Sequence, residues 1–175
     1  TLATWSTMEY TLRVPPQQLR HYQEKYDYKA EARLEKFRRI GPQQGYLTVS
    51  QLHEICHWKS KRRAALAKTN PASLVKELTA FAFSAKCETS RLGALTLLNG
   101  VHFPTASVIL HFCVDQSYPI LDVRALWSLS IEKPSQYTFQ FWEKYVGVCR
   151  AVAKQHGMSV RELDMALWQF SKNHK

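Results

Sequence analysis

One short stretch of the chain combines turn-forming, apolar and hydroxyl residues in an order that suits anion binding. This stretch, called the hairpin here, reads Leu98-Asn99-Gly100-Val101-His102-Phe103-Pro104-Thr105-Ala106-Ser107. Gly100 can take a positive φ and end one helix, and Pro104 suits the first turn of the next. The N–H groups of such a turn and of a helix start lack intrahelical partners and carry partial positive charge. Because residues 92–123 contain no Lys or Arg, the sequence predicts that backbone amides would hold any phosphate bound here.

One carboxylate follows the hairpin after an apolar helix. Asp122 stands in Tyr118-Pro119-Ile120-Leu121-Asp122-Val123-Arg124, 122 − 104 = 18 positions after Pro104. An Asp directly before a helix often serves only as its N-cap. In a site that excludes water, the same carboxylate can stabilise positive charge that develops during a reaction. The residues alone leave both roles open.

Together, the hairpin and Asp122 resemble the helix-hairpin-helix (HhH-GPD) superfamily of DNA glycosylases. The family pattern runs roughly L-P-G-V-G-x-x-T-A and is followed by a catalytic Asp. The resemblance covers residues 89–130 and, more loosely, the chain from Tyr46 onward. It implies a base-excision-repair enzyme that binds duplex DNA, flips one damaged base out of the stack and releases it with Asp122 as the catalytic carboxylate.

Pro104 stands at the position where bifunctional relatives carry a Schiff-base lysine. The resemblance therefore implies a monofunctional enzyme without lyase activity, similar to the alkyladenine glycosylases, and an alkylated base is one candidate substrate. The alternatives are a helix-hairpin-helix module that binds DNA without turnover and a helical protein-interaction domain.

The resemblance also assigns residues to a DNA-binding site. Hairpin residues Gly100, Val101, His102, Pro104 and Thr105 would hold a phosphate. Arg124 would contact a DNA phosphate, or alternatively cap a neighbouring carbonyl. Backbone carbonyls of Asn99, Gly100 and His102 would ligate a structural Na⁺ or K⁺, with no other cofactor. His102 replaces the second Gly of the family pattern, where a positive φ would favour glycine, although a protonated His would add a phosphate contact.

Four aromatic residues are candidates to stack on a flipped base: Trp58, Tyr118, Trp127 and Trp168. The alternative for each of them is a position in the hydrophobic core. Stacking on an electron-poor alkylated base is the relevant interaction.

The charge distribution favours a polyanionic partner. The net charge is +10, and residues 1–70 carry 13 basic and 6 acidic side chains. The basic residues are densest at Lys59, Lys61, Arg62, Arg63 and Lys68, with no acid from residue 59 to 69. Phosphate contacts supply much of nucleic-acid affinity, so this segment predicts double-stranded DNA as partner. A solvated helix face is the alternative.

Composition and cysteine usage indicate an ordinary globular protein. The chain has 175 residues, of which 45% are hydrophobic and 22% charged, and no apolar run approaches the length of a membrane span. Thr1–Trp5 lack the charged start and apolar block of a signal peptide. The four cysteines are too widely spaced for an iron–sulfur cluster and indicate reduced thiols. We therefore expect a monomeric, cytoplasmic, nucleoid-associated protein of bacterial type.

Helix signals predict an all-α fold of about eight to ten helices. We expect one helical domain, residues 1–175, with an N-terminal segment (1–45), a glycosylase-like core (46–130) and C-terminal helices (131–175). A long helix is predicted from Pro15 to Ile40, ended by Gly41-Pro42, and Asn70 is predicted to cap the helix that follows it. Thr48 with Gln51, and Ser159 with Glu162, predict two capping boxes.

A rival motif lies in residues 53–57. His53-Glu54-Ile55-Cys56-His57 reads H-E-x-x-H, which on a helix can bind Zn²⁺ with the Glu as general base. The following basic residues would oppose a dication, and a third ligand would have to come from a distant acid such as Glu77. An amphipathic helix with its histidines beside the core is the simpler interpretation.

Overall fold

The computed structural model describes residues 8–175, and these form helices and turns without a strand. A 3-10 helix (Pro16–Gln18) precedes the α-helices, which are α1 (Leu19–Glu24), α2 (Lys29–Ala32), α3 (Phe37–Gln44), α4 (Val49–Lys59), α5 (Ala64–Ala67), α6 (Ala72–Ser84), α7 (Glu88–Thr96), α8 (Phe103–Cys113), α9 (Val123–Ser128), α10 (Phe139–Gln155) and α11 (Val160–His174). Two of these eleven, α2 and α5, are four-residue turns. The all-α prediction is confirmed. None of these helices, within residues 8–175, has the length and apolar character that crossing a bilayer requires. The expectation for Thr1–Trp5 lies outside the described residues.

The chain forms two compact units. Among the described residues, unit 1 combines residues 8–26 with residues 122–175, and unit 2 is the continuous segment 27–121. These boundaries differ from the predicted segments 1–45, 46–130 and 131–175.

Unit 1 is held together by packing of α1 and α9 against α11. The Tyr22 ring meets Phe170 edge-on, with centroids 5.1 Å apart, and its hydroxyl lies 2.8 Å from His174 Nε2. From α9, the Ser128 hydroxyl donates to the Leu167 carbonyl at 2.6 Å. Residues before α1 join the unit through the backbone, since Arg13 N–H donates to the Ser128 carbonyl at 2.8 Å.

Unit 2 is built around α8, in which residues 105–113 are all buried. A helix that is apolar on every side belongs at the centre of a core, and α3, α4 and α7 pack around this one. At the crossing with α3, a Cβ on Gly41 would lie 2.0 Å from the Cys113 carbonyl oxygen. Gly41 is therefore required for close helix packing.

The predicted long helix from Pro15 to Ile40 is wrong. The chain instead forms α1, α2 and α3, joined by tight turns. Tyr26 packs against Trp168 in unit 1, whereas Leu34 and Phe37 are fully buried in unit 2. One straight helix from Pro15 to Ile40 would have to bury residues in the cores of both units, and the chain forms three shorter helices instead. Gly41-Pro42 also lies inside α3, which ends instead at Gly45 with φ of +76°.

Both predicted capping boxes are confirmed. Gln51 N–H donates to Thr48 Oγ1 at 3.3 Å, and Thr48 N–H donates to Gln51 Oε1 at 2.8 Å. The pair Ser159 and Glu162 repeats this exchange at the start of α11, at 3.1 and 2.7 Å.

The buried side of α6 does not follow its largest apolar residues. Leu74 and Phe81 are exposed, and the buried side consists of Val75, Thr79 and Ala82. Thr79 is placed there because its hydroxyl accepts the Leu47 N–H at 2.8 Å and donates to the Val75 carbonyl. A hydrogen bond to the chain entering α4 thus selects the buried side over the larger apolar residues.

The cysteines are free thiols, as expected, and Cys56, Cys113 and Cys149 are buried. Burial raises the pKa of Cys56 to about 12. These thiols are therefore protonated at neutral pH and poor metal ligands.

Candidate nucleic-acid interface

The hairpin connects α7 to α8 with the backbone conformations that the sequence predicts. Gly100 has φ of +85°, and Val101 N–H closes the turn by donating to the Leu98 carbonyl at 3.1 Å. Pro104 lies in the first turn of α8. His102 is the N-cap residue, with φ of −112° and ψ of 179°. Because this is extended backbone, His at the position of the family's second Gly causes no strain.

Three backbone donors of the hairpin have no hydrogen-bond partner anywhere in residues 8–175: the N–H groups of Gly100, His102 and Thr105. His102 is exposed and Gly100 partly exposed. Thr105 is 5% exposed and is the most buried of the three residues. The positive end of α8 adds to their partial charge, and the group can accept an anion.

The Asn70 side chain holds the turn from behind. Its Oδ1 accepts the Asn99 N–H at 2.8 Å, and its Nδ2 donates to the Asn99 carbonyl at 3.0 Å and to the Ala67 carbonyl at 2.9 Å. Asn70 is 5% exposed, and α6 has Pro71 rather than Asn70 at its N-cap. The predicted capping role is therefore wrong, and the residue instead ties the hairpin to the end of α5.

The turn also lies directly against the basic segment, residues 59–68. A Cβ on Gly100 would meet Ala67 N at 3.0 Å and the Arg63 carbonyl oxygen at 3.3 Å. Positive φ and lack of space thus both require glycine. Lys61, Arg62 and Lys68 are exposed, whereas Lys59 and Arg63 are half-buried. The hairpin therefore packs against the backbone of the basic segment at Arg63 and Ala67.

Arg63 supplies charge at the hairpin itself. Desolvation and the Arg63 guanidinium both hold the pKa of His102 below its ordinary value. At neutral pH His102 is therefore neutral and Arg63 carries the positive charge. Within residues 8–175, the buried Arg63 Nε has no hydrogen-bond partner.

The carbonyls that would ligate a monovalent cation are already engaged. The Asn99 carbonyl accepts from Asn70, the Gly100 carbonyl lies 4.0 Å from Cys56 Sγ, and the His102 carbonyl accepts the Ala106 N–H at 2.8 Å. One lone pair remains on each oxygen. The Na⁺ or K⁺ site stays a prediction.

Asp122 is the N-cap of α9 and lies in unit 1. Its Oδ1 accepts the Arg124 N–H at 2.9 Å. The side chain is half-buried, so the carboxylate is not sealed in the core. Burial of Tyr137 raises the pKa of that tyrosine, and the negative charge of Asp122 raises it further. The structure thus assigns the capping role and leaves the carboxylate at the edge of unit 1.

Among the four aromatic candidates, Tyr118 has a defined core role. It is 3% exposed, and its hydroxyl donates to Glu88 at 2.5 Å and accepts from Arg91 Nη1 at 2.7 Å. Burial and Glu88 raise its pKa to about 12. Stacking on a base is not open to this ring.

The other three aromatic candidates are half-buried. Trp58 meets Phe112 edge-on, with centroids 6.5 Å apart. Trp127 has the Arg13 guanidinium over its ring, and Trp168 has Arg124 and Lys172. Both indoles of unit 1 are thus covered by cations of the chain itself.

The rival H-E-x-x-H motif lies on α4 as an isolated histidine pair. The His53 and His57 rings are 6.1 Å apart, but Glu54 pairs with Lys36 at 2.7 Å. Within residues 8–175 there is no group of three His, Cys, Asp or Glu side chains arranged to hold a metal. Partial desolvation and the charges of Lys68 and His57 lower the pKa of His53, so the basic segment opposes a dication, as the sequence indicates.

Comparisons with known proteins add no assignment, because no family model, curated protein or solved structure matches the chain. The sequence identifies the hairpin, Asp122 and the basic segment, but not the contact that Asn70 makes with the hairpin. The role of Asn70 depends on Asn99, which lies 29 positions away. The Asn70-Pro71 pair gives no sign of this contact.

Proposed function

We propose that the chain binds the sugar–phosphate backbone of duplex DNA through the hairpin and the basic segment. We further propose that it acts on this DNA as a monofunctional base-excision glycosylase, with Asp122 as the catalytic carboxylate. The observation that carries the proposal is the set of hairpin N–H groups without partners in residues 8–175, on a turn that Asn70 fixes. Fixed donors lose little entropy on binding phosphate, which favours affinity.

Electrostatics support phosphate as the ligand. The amides supply short hydrogen bonds and direction, while Lys61, Arg62 and Lys68 supply exposed charge within the same unit. With no acid from residue 59 to 69, nothing in that segment offsets their field. A duplex presents phosphates at regular spacing, so a contact at the turn and contacts at the basic segment can form together.

Asp122 would act after a damaged base has been flipped. As the N-glycosidic bond breaks, the base leaves with the bonding electron pair and positive charge develops on the sugar, which a fixed carboxylate stabilises. Water then adds to the sugar carbon, and the proton that it loses balances the charge on the departed base. The hydrogen bond from Arg124 N–H fixes the orientation of the carboxyl group. Pro104 has no amine, so no Schiff base forms at that position and no lyase step follows.

One observation favours the second candidate, a DNA-binding module without turnover. The hydrogen bond that Asp122 accepts from Arg124 is by itself a sufficient reason for an Asp before α9. Such a module would bind duplex DNA with a steep salt dependence and release no base.

A base-release assay on duplexes that each carry one lesion separates these candidates. Asp122→Asn keeps an acceptor for the Arg124 N–H but removes the charge. We expect it to bind DNA like the parent and to release base about 100-fold or more slowly. Asp115→Asn is the matched control, because Asp115 also accepts an N–H two residues ahead, from Ser117 at 2.7 Å. Release that survives in Asp122→Asn excludes Asp122, and tight binding without release on any lesion supports the silent module.

A further inference from the structure

We propose that unit 1 carries a second phosphate-binding surface for DNA, formed by Arg13, Arg124 and Lys172 on the rings of Trp127 and Trp168. This inference rests on the proposed DNA-binding function and extends it to a different set of residues. We call these three cations and two indoles the platform.

The platform cations are held by aromatic rings. The Arg13 guanidinium lies 4.8 Å from the Trp127 ring centroid, and its Nε donates to the Trp127 carbonyl at 2.7 Å. Arg124 and Lys172 lie 5.4 and 5.3 Å from the Trp168 centroid. Lys172 follows Trp168 by one helical turn on α11, so the two side chains share a face. Cation–π contact restricts all three cations without neutralising them.

These cations also lack acidic partners, in contrast to several other arginines. Arg20, Arg38, Arg91 and Arg161 each pair with a carboxylate. No carboxylate within residues 8–175 pairs with Arg13, Arg124 or Lys172. A guanidinium that lies flat on an indole keeps in-plane N–H groups for a phosphate. The platform therefore presents positive charge that no carboxylate of the described residues neutralises.

A neighbouring cavity of about 340 Å³ is lined by further basic residues. Arg13 and Trp127 line it together with Lys133 and Lys175, and Glu132 is the acidic side chain in its wall. Three basic residues and one acidic residue thus line this opening. A chain of phosphates fits this arrangement better than a single small anion, because the platform cations come from three separate segments, the chain before α1, α9 and α11.

Phosphate fits the platform better than a flipped base does. Trp127 has Phe170 stacked at 6.0 Å in addition to Arg13. Trp168 has two cations and the edge of Tyr26, with centroids 5.5 Å apart. A base would have to displace these groups before it could stack. The indoles are therefore positioning residues for the cations.

The test measures binding of a fluorescent duplex to the full chain across a salt series. The variant Arg13→Gln/Arg124→Gln/Lys172→Gln should bind about 10- to 100-fold more weakly, and its slope of log affinity against log salt should fall by about 2–3. The matched control Lys144→Gln/Arg150→Gln/Lys154→Gln removes the same charge from α10 of the same unit. It should change affinity less than about threefold.

Trp168 is tested separately. Trp168→Tyr keeps an aromatic face and should retain most of the affinity, whereas Trp168→Leu should lose about as much as removal of the two cations it supports. Circular dichroism melting identifies any variant that has lost its fold. Equal affinity for both Trp168 variants, each folded, would overturn the positioning role.

A variant of the basic segment separates failure of this inference from failure of the proposed function. If Lys61→Gln/Arg62→Gln/Lys68→Gln weakens binding and the platform variant behaves like its control, the second surface is excluded and the hairpin site stands. If neither variant weakens binding, both proposals fail. Loss of binding to phosphatidylserine vesicles by the platform variant, with DNA binding unchanged, would overturn the inference in favour of a membrane surface.

Discussion

Asn70 fixes, as a single residue, the backbone that leads into the hairpin turn. Its side chain engages both the N–H and the carbonyl of Asn99, the residue directly before Gly100. The unpartnered donors of Gly100 and His102 follow this fixed residue along the chain. Residue type alone did not reveal this, because the same Asn-Pro pair is typical of an N-cap followed by a helix.

Asn70→Ala should therefore affect both stability and binding. It removes three hydrogen bonds and should lower the free energy of unfolding by about 1–3 kcal/mol. DNA affinity should fall because the turn is no longer fixed. Urea denaturation and duplex binding measure the two effects. Asn173→Ala is the control, since that exposed side chain accepts one hydrogen bond, from Gln169. Unchanged DNA affinity in Asn70→Ala would show that Asn70 does not organise the site.

We expect His102 to make the proposed DNA binding depend on pH. Its pKa lies below the ordinary value because of desolvation and Arg63, so the free protein carries a neutral His102 at pH 7. A bound phosphate would favour the protonated form, and binding would then take up a proton. Affinity should therefore increase as the pH falls from 7.5 to about 5.5, at constant ionic strength.

The variant His102→Gln should remove much of this pH dependence while it binds similarly at pH 7.5. Anisotropy titrations at four or five pH values are sufficient. A variant whose affinity follows the parental pH profile would assign the dependence to other groups.

Several helix boundaries were predictable because their signals are local. Thr48, Ser159 and Gly157 mark helix ends through side-chain caps and a positive φ. The breaks within the predicted helix from Pro15 to Ile40 were not predictable. The Asp27 side chain accepts the Lys29 N–H at 3.0 Å. This hydrogen bond starts a new turn at a point where apolar residues continue at helical spacing in the sequence. The break between Tyr26 and Asp27 follows from two separate cores, and no short sequence window contains that information.

The hairpin's dependence on glycine can be tested at the level of this element. Gly100→Ala places a Cβ 3.0 Å from Ala67 N at a positive φ, so the free energy of unfolding should fall by about 1–2 kcal/mol or more. Gly147→Ala is the matched control, because its Cβ would meet nothing within 4 Å in the middle of α10. Helix propensity predicts a gain of about 0.5–1 kcal/mol there.

Thermal or urea unfolding should show a lower free energy of unfolding for Gly100→Ala and a higher one for Gly147→Ala. Equal stability of Gly100→Ala and the parent would mean that the turn relaxes without cost and that its conformation does not require glycine.

At the scale of the whole molecule, the excess of positive charge is shared between the units. Unit 2 holds the hairpin and the basic segment, and unit 1 holds the platform and Asp122. The all-α class was predictable from periodicity, whereas the partner class stays a prediction from charge. The division into two units was not predictable from the sequence, because it depends on contacts between α1 and α11, which lie at opposite ends of the described chain.

Fragments should reflect that division. Residues 27–121 contain the whole of unit 2, including the buried helix α8, and should unfold cooperatively when produced alone. Residues 122–175 lack α1, whose Leu19 and Tyr22 are buried in unit 1, and should show little tertiary structure. Near-ultraviolet circular dichroism and urea titration of both fragments are the measurements. A cooperative transition in the second fragment would show that α1 is dispensable.

The pairing of α1 with α11 also sets an order of events during synthesis. α1 ends at Glu24 and α11 begins at Val160, so the first helix emerges from the ribosome 160 − 24 = 136 residues before its partner begins. At ordinary elongation rates it waits about 7–27 s with its apolar face uncovered. The segment 27–121 can complete its own core during that interval. A nascent chain stalled before Val160 should therefore expose Leu19 and Tyr22 to chaperones while unit 2 is already protected.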